Sequence, residues 1–102
     1  MVRTRTKGTE LSVFKGREAK LNRAIIKTLA IKTPQSTREL YKKAIYSKTL
    51  RNTSYSTVNK RVRELEKTGY LKKAAVKERP GGITNYYELS PKGYLVLELT
   101  KH

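Results

Sequence analysis

The stretch from Ser54 to Lys67 gathers the side chains best suited to chemistry in this chain. Asn59 carries an amide that can make a paired contact to the edge of adenine, and Arg63 a guanidinium that can do the same to guanine or grip a phosphate. Lys60 fits a phosphate clamp. Ser54, Ser56 and Thr57 are short and polar, so a backbone carrying them can approach a base edge closely. Tyr55 can stack on a sugar or touch a thymine methyl; packing into a core one turn before Val58 is the alternative. Downstream, Lys77 and Arg79 precede Pro80-Gly81-Gly82, and Thr84 and Asn85 follow it. These groups suit phosphates or a narrow, negative minor groove.

Catalytic chemistry finds little support. All eight acidic residues are Glu, Cys is absent, and the single His is the terminal His102. The usual acid–base, nucleophilic and metal-ligand constellations cannot be assembled from these residues, although a Lys or Glu catalyst remains conceivable. We therefore expect no enzyme, no cofactor and no metal.

Charge supports the same direction. Lys and Arg total 24 against 8 acids, a net charge of +16 in 102 residues. Such an excess repels itself in a compact state unless a polyanion neutralises it. Nucleic acid is the commonest polyanion, since phosphate neutralisation releases counterions. A membrane surface fits less well: no apolar run is long enough to span a bilayer, and the charge is spread along the chain. The N-terminus lacks the apolar run of a signal peptide, which places the protein in the cytoplasm, or wherever DNA lies.

The elements that must position these residues follow from periodicity. Residues 1–10 hold Arg3, Arg5 and Lys7 without an apolar period and read as a flexible basic arm, either disordered or contacting DNA. Leu11, Val13 and Phe14 suggest a short strand or staple. The remainder, 11–102, reads as one domain. Leu21, Ile25 and Leu29 recur every fourth position, which predicts a helix from Arg17 to about Lys32, ended by Pro34. Ser36-Thr37-Arg38-Glu39 is a capping box opening a second helix with Leu40, Tyr41, Ala44 and Ile45 as its apolar stripe and Arg38 and Lys42 outward. A third helix runs from a cap near Ser54 to about Thr68, stopped by Gly69. Its apolar face is Val58, Val62 and Leu65; the opposite face holds Ser56, Asn59, Lys60, Arg63 and Lys67.

Leu71 to Arg79 and Tyr86 to Leu89 predict a hairpin turning at Pro80-Gly81-Gly82. Ser90-Pro91 then suits a cap and first turn of a last helix. Leu95, Leu97 and Leu99 also alternate as a strand would. As a helix, this segment carries Tyr94, Leu95, Val96, Leu97 and Leu99 around nearly its whole circumference, which calls for burial on two sides. A homodimer interface at Tyr94, Leu95, Leu97 and Leu99 is therefore expected; a tucked helix or strand in a monomer is the alternative.

Helix, helix, helix, hairpin and terminal helix form an α+β, winged helix-turn-helix order. Thr57-Val58, Val62, Leu65-Glu66 and Gly69-Tyr70-Leu71 resemble the recognition-helix-to-wing signature of the MarR and PadR regulators. Tyr87-Glu88-Leu89-Ser90-Pro91-Lys92-Gly93 resembles the exit from their wing. The resemblance spans about Leu21 to Leu99, and the size and charge are similar to small winged-helix proteins of archaea and their viruses. It implies a three-helix core, a wing over about 72–89 and a recognition helix over about 54–68. It also implies sequence-specific binding of double-stranded DNA for transcription regulation. The long flanking dimerisation helices of those families have no counterpart here, so neither their ligand pocket nor their dimer geometry is carried over.

Two other readings compete. An RNA-binding or ribosome-associated winged helix would also be very basic, but Tyr86 and Tyr87 should point to opposite strand faces and offer no shared stacking platform. A protein-interaction module leaves the charge unexplained.

Overall fold

A computed structural model describes residues 18–47 and 50–99. The expected basic arm at 1–10, the segment of Leu11, Val13 and Phe14, and the last residues through His102 lie outside the described residues. Within them, four helices and a three-stranded antiparallel sheet make an α+β fold. The helices are α1 (Ala19–Ile31), α2 (Thr37–Ala44), α3 (Tyr55–Lys67) and α4 (Pro91–Leu99); the strands are β1 (Gln35–Ser36), β2 (Leu71–Arg79) and β3 (Gly82–Leu89), in the order β1-β3-β2.

Most of the apolar positions anticipated on the helices meet in one core; of the expected α2 stripe, Tyr41 is only partly buried against it and Ile45 caps the helix and is not among the core residues. Leu21, Ile25, Ile26 and Leu29 of α1 pack with Leu40 and Ala44 of α2 and with Val58, Val62 and Leu65 of α3. All three α3 residues are 0% exposed. Tyr70, Leu71, Tyr87 and Leu89 close the core from the base of the hairpin. Each Leu, Ile or Val of this set contributes about 1.5–3 kcal/mol by leaving water.

Strand β1 has no counterpart in the sequence reading. Gln35 pairs with Tyr87 and Ser36 with Tyr86. Such a short strand has no room for alternation, so periodicity cannot reveal it. The Gln35 amide is buried and donates to the carbonyls of Thr28 at 3.2 Å, which also accepts from the Lys32 amide, and of Lys32 at 2.7 Å, tying the end of α1 to β1. Ser36 serves both strand and cap. Its Oγ accepts from the Glu39 amide at 3.2 Å, and its own amide donates to Glu39 Oε1 at 2.9 Å, which is the expected capping box.

The hairpin runs farther than its sequence signals. Arg79 pairs with Gly82, so the turn is Pro80–Gly81 and Gly82 already belongs to β3. Gly82 has φ 143°, a region open to glycine and strained for other residues. The register slips between Lys73 and Ala75, a bulge that changes which side chains beyond it face the helices. Tyr87 enters the core while Tyr86 stays partly exposed, as alternation requires.

The segment after Ser90 is a helix, which decides against the strand alternative. The Gly93 amide donates to Ser90 Oγ at 3.1 Å, and the Ser90 hydroxyl donates to the Gly69 carbonyl. A Cβ at Gly93 would strike the Tyr70 carbonyl oxygen. Lys92 Nζ donates to the Thr68 carbonyl at 2.8 Å. These bonds lock the start of α4 to the end of α3. Leu97 and Val96 pack against the core of their own chain. Leu97 is therefore withdrawn from the expected dimer surface, because docking on α1 and β3 turns that side of α4 inward. Tyr94, Leu95 and Leu99 stay exposed, at 46%, 60% and 70%. Among the described residues no helix is long and apolar enough to cross a membrane.

Candidate nucleic-acid interface

The start of α3 is built as an N-cap. Ser54 Oγ accepts from the Thr57 amide at 3.1 Å and lies 2.9 Å from Thr57 Oγ1. This pairing holds the first turn in shape and engages both hydroxyls, so Ser54 and Thr57 present less free hydrogen-bonding capacity than their types suggest. Ser56 is exposed beside them.

Beyond the cap, α3 forms one wall of a cleft of about 300 Å³. Tyr55, Asn59 and Arg63 project from α3; Arg79, Ile83, Thr84, Asn85 and Tyr87 come from the hairpin; Ser36, Thr37 and Arg38 come from the junction of β1 and α2. Six of the residues singled out from sequence thus converge here: Tyr55, Asn59, Arg63, Arg79, Thr84 and Asn85. Their meeting follows from the core. With Val58, Val62 and Leu65 turned inward, Asn59 and Arg63 must face out, and the hairpin folds back beside them through Tyr87.

The other expected residues fall elsewhere. Lys60, Lys67 and Lys77 are exposed but do not line the cleft.

Sequence reasoning placed Arg38 outward without a role. It stands over the Tyr55 ring, 5.9 Å from the centroid, and Tyr55 meets Tyr41 edge-on at a centroid distance of 5.6 Å. Tyr55 is consequently neither simply core nor simply free: Tyr41 and Arg38 brace it, yet it remains 43% exposed in the cleft wall. The capping box was the available signal, since it fixes where α2 starts and hence the orientation of Arg38. The partner residue across the cleft was not legible.

The electrostatics are one-sided. Three guanidinium groups, Arg38, Arg63 and Arg79, line the cleft, and no acidic residue does. Arg79 Nη2 donates to the Tyr86 hydroxyl oxygen at 3.2 Å, which restrains it near the hairpin tip. Lys72 pairs with Glu88 at 3.5 Å and Lys73 with Glu66 at 4.0 Å, so the neutralised cations of the hairpin lie near its base. The Tyr87 hydroxyl is held above the ordinary tyrosine pKa of 10.0, chiefly by burial and then by the negative charge of Glu66; the Asn85 side chain, bonded to it, and Arg63 oppose this. It therefore stays neutral at physiological pH. Together the cleft offers forked donors for phosphate or base edges, two side-chain amides, Asn59 and Asn85, and a half-exposed aromatic ring.

No protein-family model matches the chain, and no curated protein matches it.

Proposed function

We propose that this domain is a winged helix that binds double-stranded DNA and regulates transcription at specific sequences, without enzymatic activity. In this reading α2 and α3 are the helix-turn-helix, α3 enters the major groove, and the β2–β3 hairpin is the wing. The observation that carries the proposal is the cleft shared by α3, the start of α2 and the hairpin, lined by Arg38, Arg63 and Arg79 and by no acid. Asn59 and Arg63 supply base readout. Arg79 and Lys77 hold the flanking backbone, and Thr84 and Asn85 lie on the wing strand facing the groove. Lys60 and Lys67 add phosphate contacts. The protein then works wherever DNA lies.

The working unit in this proposal is a homodimer. Tyr94, Leu95 and Leu99 leave an apolar side of α4 uncovered while Val96 and Leu97 occupy the other. A second copy presenting the same patch covers it by twofold symmetry. Two recognition helices about 34 Å apart would then favour a palindromic site.

Competition binding tests the function. Labelled duplex DNA is displaced by unlabelled duplex and by single-stranded RNA over a salt series. Duplex should compete more strongly at every salt concentration, with affinity falling steeply as salt rises. Preferential displacement by RNA would transfer the cleft to the RNA-binding reading.

A further inference from the structure

The charge of this chain is not confined to the cleft. Helix α1 carries Lys20, Arg23 and Lys27 and no acid. Lys20 and Lys27, seven positions apart, share one face of α1. Beside them run two grooves of about 200 and 260 Å³ that have Ala24, Lys27, Ser47 and Leu50 in common and so form one continuous furrow. Lys43 of α2 lines the first of these grooves and Lys20 the second. None of the lining residues is acidic. Lys20, Lys27 and Lys43 are exposed, and none makes an ion pair among the described residues.

This furrow is separate from the cleft. The two share no lining residue, and α1 contributes nothing to the cleft. The cleft uses the start of α2 at Arg38, the furrow its end at Lys43, about 140° round the helix.

From these observations we infer that the furrow of Lys20, Lys27 and Lys43 is a second docking surface for duplex DNA, which grips the phosphate backbone without reading bases. The inference rests on the DNA-binding reading of the cleft and extends it: one domain holds two duplex segments. Ammonium groups are compact point charges, suited to phosphates and indifferent to the paired geometry of base edges. The apolar lining of the furrow, Ala24, Ile25, Leu40, Ala44 and Leu50, is aliphatic throughout and offers no aromatic anchor of the kind a protein partner uses.

The test uses the full chain with the cleft disabled by Arg38→Glu, Asn59→Ala and Arg63→Glu. Binding of a labelled duplex of random sequence is followed by anisotropy at low salt. The disabled protein should retain salt-sensitive duplex binding. Adding Lys20→Gln, Lys27→Gln and Lys43→Gln should weaken it at least tenfold. Adding instead Lys32→Gln, Lys42→Gln and Lys72→Gln, exposed lysines that line neither the cleft nor the furrow, removes the same formal charge and should change it by less than about threefold. The opposite ranking, or no residual binding in a chain whose unmutated form binds duplex, would overturn the second surface and leave the cleft intact. Failure of the unmutated chain to bind duplex would overturn both. If the Lys20, Lys27 and Lys43 set spares duplex binding and abolishes binding of a poly-glutamate peptide, the furrow takes an acidic protein and the inference is wrong.

Discussion

The guanidinium carbon of Arg38 stands 5.9 Å from the centroid of the Tyr55 ring, joining the first turn of α2 to the first turn of α3 within the lining of the cleft. A contact of this kind is worth about 0.5–1 kcal/mol at an exposed site, too little to set the fold but enough to hold a long side chain in place. Arg38→Ala should therefore leave the melting temperature nearly unchanged, weaken duplex binding, and lower the slope of log affinity against log salt by about one. An unchanged salt slope would remove Arg38 from the phosphate contacts.

Asn59 and Arg63 project from α3 opposite a fully buried face, so truncating either removes no core contact. Each Ala variant should cost about 1–3 kcal/mol at a preferred DNA site and relax the choice of base at one position. Selection of bound fragments from random sequence, followed by affinity measurement, checks both. Folded variants with unaltered affinity and preference would exclude α3 as the reading element.

Arg79 leans on Tyr86 through a 3.2 Å hydrogen bond near the hairpin tip. Arg79→Ala should weaken binding to all sequences by a similar factor and flatten the salt slope by about one. Tyr86→Phe, which removes only the tether, should reproduce a smaller part of that loss. Should Arg79→Ala shift preference at one flanking position instead, the wing reads the minor groove.

Tyr87 links stability to alkaline pH. Its folded-state pKa lies above the ordinary 10.0, so the folded chain holds the proton more firmly than the unfolded one. The resulting stability is fully present below pH 10 and is lost as pH rises through the folded value. Denaturant unfolding of the native chain and of Tyr87→Phe at pH 8 and at pH 11 should show the steeper decline in the native chain. Equal declines would mean that Tyr87 contributes nothing to the alkaline loss.

Exposed Leu95 and Leu99 mark the open side of α4, with Leu97 turned inward. Sedimentation equilibrium at micromolar concentration should give a dimer mass, reduced to the monomer by Leu95→Glu or Leu99→Glu. Leu97→Glu should instead destabilise the fold itself, by burying a charge at the core margin. A monomer in the unmutated chain would refute the dimer.

What the sequence by itself determined is what local rules govern. Leu21, Ile25 and Leu29 at fourfold spacing, Val58, Val62 and Leu65 on one face, the Ser36 capping box, and Pro80-Gly81 between two extended runs each state their structure within a few residues. They also settle which side of α3 faces out, because burying one side exposes the other. Tertiary structure decided what depends on partners distant in the chain. Gln35 gains its strand only by meeting Tyr87, and its buried amide is tolerated only because the end of α1 offers carbonyls. The bulge between Lys73 and Ala75 reorients the hairpin beyond it, a choice no alternation pattern records. Arg38 shares a cleft with Arg63 and Arg79 because α2, α3 and the hairpin pack on one core, and Leu97 turns inward while Leu95 does not because α4 docks on α1 and β3. A nine-residue helix apolar on most sides cannot announce which side that will be; only the surface it lands on selects it.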